Sequence, residues 1–130
     1  MSDTCISQIE SHWKIKTTIS NNLFHKCTYQ EALLSYEEAL YRAEVLNHHY
    51  QDCLRNGIPF IQIYITSCTN IAHTQSALHA QDKAEEMLKR VLYYLLHLSK
   101  IKDLDPMEIK RELKRAVVYY YDFVRQVAQS

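Results

Sequence analysis

NNLFHKCTYQEALLSYEEALYRA, residues Asn21 to Ala43, is the stretch whose reading decides the fold. Within it Ala32, Tyr36, Ala39 and Ala43 recur at steps of three and four, which places them on one face of an α-helix. Alanines on such a face add no bulk, so a second helix can come close, with Tyr36 filling the space between. Upstream, Ile15, Ile19 and Leu23 keep the same spacing. A short polar break, His25 to Thr28, separates the two runs. Helices joined by so few residues lie antiparallel, so the stretch predicts a helical hairpin.

Composition agrees with that reading. The chain has 130 residues, of which 47% are apolar, which suits one domain with a real core. One glycine and two prolines are too few turn formers for a many-stranded β fold. Fifteen basic and fifteen acidic residues cancel. No global charge therefore directs the chain to nucleic acid or to an anionic membrane. Residues 100–130 carry seven Lys or Arg against five Asp or Glu, too small an excess for a basic tail.

No apolar run approaches the roughly 20 residues of a membrane span. The start, MSDTCISQIES, lacks the charged-then-apolar pattern of a signal peptide, so a cytoplasmic location is expected. Cys5, Cys27, Cys53 and Cys68 are scattered without a CxxC pair, which fits free thiols in a reducing compartment.

The periodicity predicts an all-α domain of about five helices. The first runs from Asp3 to Lys26, capped by Asp3 or Thr4, with Ile6, Ile9 and Trp13 on its stripe. The second runs from Tyr29 or Gln30 to near Arg55, where Asn56-Gly57 stops it. Ile58-Pro59 opens the third, which carries Ile61, Tyr64, Ile65, Cys68, Ile71 and Ala72. After a break at His79 to Asp82, the fourth shows Ala84, Met87, Leu88, Val91, Leu92 and Leu95.

Beyond a charged connector, Asp105-Pro106-Met107-Glu108 starts a fifth helix, with Asp105 as cap and Glu108 reaching back. Ile109, Leu113, Ala116, Val117, Tyr120 and Val124 are its expected inner stripe. The single domain, 1–130, thus divides into a helix pair over 1–55, a second pair over 58–99 and a capping helix over 105–130.

The first pair resembles a tetratricopeptide (TPR) repeat. Ile19, Ser20 and Leu23 fall on that motif's first-helix positions, Tyr29 on its turn aromatic, and Ala32, Tyr36 and Ala39 on its second helix. Lys16 stands where the family usually has tryptophan, Ser20 and Cys27 where it prefers glycine, and Glu44 where proline ends the unit. Ala72, Ala84, Leu88 and Val91 echo Ser20, Ala32, Tyr36 and Ala39 in the second pair. Their offset of 84 − 32 = 52 residues exceeds the roughly 34 of a regular repeat.

The resemblance implies a concave surface, lined by first-helix residues, that grips a peptide or helix of a partner protein. It points to Lys14, Thr17, Asn21, Phe24 and His25 in the first unit, and to Thr66, Thr69, Asn70, His73 and Ser76 in the second. Asparagine amides there would pair with a partner's backbone. The plainer reading is that these residues are the solvated face of two helices. The carboxylate-gripping mode of some such domains needs more Lys and Arg than these positions offer.

Catalytic signatures are missing: there is no glycine-rich phosphate loop, HExxH, ExxH di-iron pattern or GxSxG. His48, His49 and Cys53 invite a metal reading, because His49 and Cys53 are one helical turn apart, as are Glu44 and His48. Metal needs three or four ligands in fixed geometry, and a polar helix end explains these residues more simply. No cysteine sits where a lowered pKa would make a catalytic Cys-His pair.

The expectation is therefore a non-catalytic interaction module, adaptor or chaperone-like, with no metal, cofactor, nucleic-acid or membrane partner. VLYYLLHL (Val91 to Leu98) is apolar almost all round, so a self-associating helical protein, a homodimer, is the alternative. A metal-binding bundle or enzyme is the third reading.

Overall fold

Ser2 starts the first helix, its Oγ accepting the Cys5 N–H at 3.1 Å. The cap therefore lies just ahead of the predicted Asp3 or Thr4. Asp3 is engaged elsewhere, its Oδ1 accepting from Arg55 Nη2 at 2.8 Å and Asn56 Nδ2 at 3.2 Å. In the computed structural model, which describes residues 1–129, the chain is all-α. Its order is α1 (Asp3–His25), α2 (Tyr29–His48), α3 (Tyr50–Arg55), α4 (Phe60–Ala77), α5 (Gln81–Leu98) and α6 (Pro106–Gln129).

Six helices among the described residues, against the five predicted, reflect a break at His49, where the backbone leaves the helical region (φ −110°, ψ 41°). The break lets α3 fold back over the start of α1. Arg55 there bridges Asp3 and Asp52, and Cys53 is buried with its thiol donating to the Leu46 carbonyl at 3.4 Å. Helix propensity favours continuation through His49; burying Cys53 and pairing Asp3 favour the turn, and tertiary contacts win.

Neighbouring helices pack in chain order: α1 on α2, α2 on α4, α4 on α5, α5 on α6. Side-chain bonds define two layers. Trp13 Nε1 of α1 donates to Ser67 Oγ of α4 at 2.7 Å, and Tyr119 of α6 meets His73 of α4 at 2.6 Å. On the other layer, Tyr94 Oη of α5 donates to Asn47 Oδ1 of α2 at 2.5 Å, and Arg90 pairs with Glu44 at 3.3 Å. α1, α4 and α6 thus share one layer, with α2 and α5 on the other.

Small residues let the layers close. Ala32, Tyr36 and Ala39 are buried, as are their echoes Ala84, Leu88 and Val91 in the second hairpin. Ser20 and Ala72 are buried too. Ser20 Oγ meets Ser35 Oγ at 2.5 Å, so α1 and α2 touch through hydroxyls. That contact turns α1 so that Ile6, Trp13, Ser20 and Leu23 point inward. Ile15 and Ile19, expected inside, are 58% and 46% exposed.

Three helices end in the same motif. After α3, the Ile58 N–H reaches the Cys53 carbonyl at 2.9 Å while Gly57 adopts φ 66°. After α1, Thr28 N–H reaches Leu23 O and Cys27 has φ 63°; after α4, Ala80 N–H reaches Gln75 O and His79 has φ 61°. These are Schellman ends, whose left-handed residue is normally glycine. Cys27 and His79 bear a Cβ there at a cost of about 1 kcal/mol each. Cys27→Gly and His79→Gly are expected to raise the unfolding free energy by about that amount apiece, additively, in urea titrations. A loss of stability in either would contradict the strain.

At the start of α6, Asp105 Oδ1 accepts the Met107 N–H at 3.0 Å and Pro106 takes the first position. The return bond from Glu108 does not form among the described residues. Ile109 is buried, and Leu113, Ala116, Tyr120 and Phe123 are half-buried. Val117 and Val124, expected inside, are exposed. α6 leans chiefly on α5, so the face it buries is narrower than its apolar stripe.

Candidate functional site

A groove lies between α6 and α4, with Leu88 of α5 among its lining residues. One chamber, of about 220 Å³, is lined by Gln62, Ile65 and Thr69 of α4, Leu88 and Val91 of α5, and Glu112, Arg115, Ala116 and Tyr119 of α6. The other, of about 580 Å³, is lined by Phe24, Ala72, His73, Ser76, Leu88, Tyr119, Asp122, Phe123 and Gln126. Leu88 and Tyr119 belong to both, and the His73–Tyr119 hydrogen bond spans the groove where they meet. Burial raises the Tyr119 phenol, so it is protonated at neutral pH.

Of the ten residues the sequence points to, Phe24, Thr69, His73 and Ser76 are brought together here. The other six stand elsewhere. Lys14 is exposed and pairs with Glu10 at 3.7 Å. Thr17 keeps a buried hydroxyl that finds no partner among the described residues. Asn21 is tied into the fold, its Oδ1 accepting from Tyr36 Oη. His25 is exposed at the end of α1, edge-on to Phe24 at 6.2 Å. Thr66 is exposed and Asn70 half-buried, neither among the groove-lining residues.

Sequence reasoning misses the α6 wall, which is as large as the α4 wall. The signal was present: Glu112, Arg115, Ala116, Tyr119, Asp122, Phe123 and Gln126 recur at steps of three and four. They form a second face beside the apolar stripe, and the eye follows the stripe.

The residues of the metal reading lie on the opposite layer. The His48 and His49 rings meet edge-on at 5.0 Å, and His49 Nδ1 is 3.7 Å from Asp52 Oδ2. Cys53 faces the core. Among the described residues no three His, Cys, Asp or Glu side chains gather as a metal site would require.

Burial pushes the Cys53 and Cys68 thiols up to about 11, so both stay protonated at neutral pH. Their acidity is weaker folded than unfolded, so this stability is complete below about pH 9 and drains as pH rises towards 11. The loss is on the order of 1 kcal/mol per pH unit for each thiol. Urea titrations between about pH 8 and 10.5 should show the decline, shallower in Cys68→Ala. At about pH 8 a thiol reagent should label exposed Cys5 and Cys27 and spare the other two. Equal labelling of all four would show that the core opens freely.

Among the described residues no helix is long and apolar enough to cross a membrane. No curated protein and no solved structure matches the chain. A family model does match, over residues 11–125, from α1 to the last turns of α6, and the chain belongs to that family, described as Protein of unknown function (DUF2753).

Proposed function

We propose that this chain is a non-catalytic interaction module of tetratricopeptide-like build, an adaptor or chaperone-like protein of the cytoplasm. It grips a segment of a partner protein in the groove between α4 and α6. One observation carries the reading: the groove is open, mainly apolar and edged by a few polar groups, the form that takes side chains from a partner helix or strand. Free cysteines suit a reducing compartment.

Photo-crosslinking in native host cells tests it. A benzoylphenylalanine at Thr69, inside the groove, should trap a defined partner. The same probe at Tyr41, exposed on α2, should not. Filling the chamber from an exposed lining position, Gln62→Trp, should erase the Thr69 adduct. Equal adducts from both sites would remove the groove from the mechanism.

A second reading is favoured by the outer side of α6, where Val117, Val118 and Tyr121 are exposed. An unpolar outer face is unusual on the last helix of a stack and suits a second copy of the chain. Light scattering after size-exclusion chromatography decides between monomer and dimer, and Tyr121→Glu should dissociate the dimer.

A further inference from the structure

Glu112 is the unexplained group in the groove. It lines the narrower chamber, yet it is only 5% exposed. Among the described residues its single partner is Arg115, one turn on, with Nη1 3.1 Å from Oε1. That guanidinium is 70% exposed. Oε2 has no protein partner among the described residues. The residue is almost wholly buried, yet Oε2 is not sealed off from the groove, so the carboxylate keeps one oxygen open to a further donor.

The walls around it say what would complete the pair. Ile65, Leu88, Val91 and Ala116 form an apolar sleeve with the carboxylate set in it. That is the complement of an aliphatic stem ending in a cation, as in lysine or arginine. The wider chamber adds Asp122, which has no ion pair among the described residues. Arg115 is the one Lys or Arg lining either chamber, so the groove carries a net negative charge.

We propose that the groove takes a partner segment whose inserted side chain is basic, its ammonium or guanidinium seated on Glu112 and its methylenes in the apolar sleeve. This deepens the interaction reading above and rests on it. Flanking apolar side chains of the same segment fill the wider chamber against Ala72 and Phe123. Charge selects the partner: a neutral residue at that position leaves Glu112 with Arg115 alone and gains no ion pair, and an acidic one is repelled.

Small probes test the chemistry without knowing the partner. The full-length ¹⁵N-labelled protein is titrated with n-butylguanidinium chloride and, separately, with 1-pentanol, following the amide signals of Thr69, Ala116 and Tyr119. The guanidinium is expected to shift these signals and to bind about tenfold more weakly to Glu112→Gln, the loss typical of a charge-assisted bond. Pentanol should bind both proteins alike. Because Glu112→Gln can disturb packing, its melting temperature is checked, and Arg115→Ala serves as the second variant. Removing that exposed arginine frees Glu112 and should tighten guanidinium binding several-fold.

If both probes bind equally and neither variant changes the guanidinium, the groove stands and its preference for a basic side chain is wrong. If neither probe shifts a groove signal, the groove reading fails with it. If the protein alone is a dimer that Glu112→Gln dissociates, a second copy fills the site and the separate partner is excluded.

Discussion

Leu46→Ala is expected to lower the unfolding free energy by about 2–5 kcal/mol, the range for emptying a buried leucine site that cannot collapse. Leu46 is fully buried near the end of α2, in the main core cluster with Ile6, Cys53, Ile58 and Phe60. Its carbonyl also receives the Cys53 thiol, so this residue fastens α3 to α2 from both ends. Against a total stability of about 5–15 kcal/mol, the loss is large. The melting temperature should fall by about 10 °C or more. Leu34→Ala, on the exposed side of the same helix, should change it little. Similar effects at both positions would mean that the core is not where the structure puts it.

Ala32→Leu tests the opposite failure, overpacking. Ala32 is fully buried in the main core cluster. The Ser20–Ser35 contact holds those helices together through small side chains. Three added carbons have nowhere to go unless α1 is pushed away, which would strain that contact and the Trp13–Ser67 bond that ties α1 to α4. The cost is about 1–3 kcal/mol or more. Ala128→Leu, at an exposed position in the last turns of α6, serves as control and should be neutral. Calorimetry of the two variants decides it; equal melting would show that α1 and α2 are not in close contact.

The two variants probe what was legible from residue order. Ala32, Tyr36 and Ala39 were readable as an inward face because three- and four-residue steps are a property of one helix. Asp105-Pro106 and Asn56-Gly57 were readable as a start and a stop because capping needs only neighbours along the chain. Ile15 and Ile19 misled: their spacing is helical, but they lie beside the face that Ser20 turns towards Ser35. The break at His49 escaped notice because nothing local demands it. The turn buries Cys53 and brings Arg55 to Asp3, 52 residues away in sequence.

The groove divided along the same line. Phe24, Thr69, His73 and Ser76 were reachable through the repeat-like register, which names the face of a first helix. Glu112 was not, since a glutamate on a helix in a charged segment reads as solvated until a neighbour covers it.

The amino-acid order by itself determined that the protein is helical, where most helices begin and end, and which hairpins they make, because these depend on dihedral preferences and spacing over a few residues. The tertiary structure alone decided which apolar stripes are covered, where the second helix breaks, and that a carboxylate lies under the wall of a groove. Burial is a property of a residue and its spatial neighbours together, and those neighbours come from helices far apart in the chain.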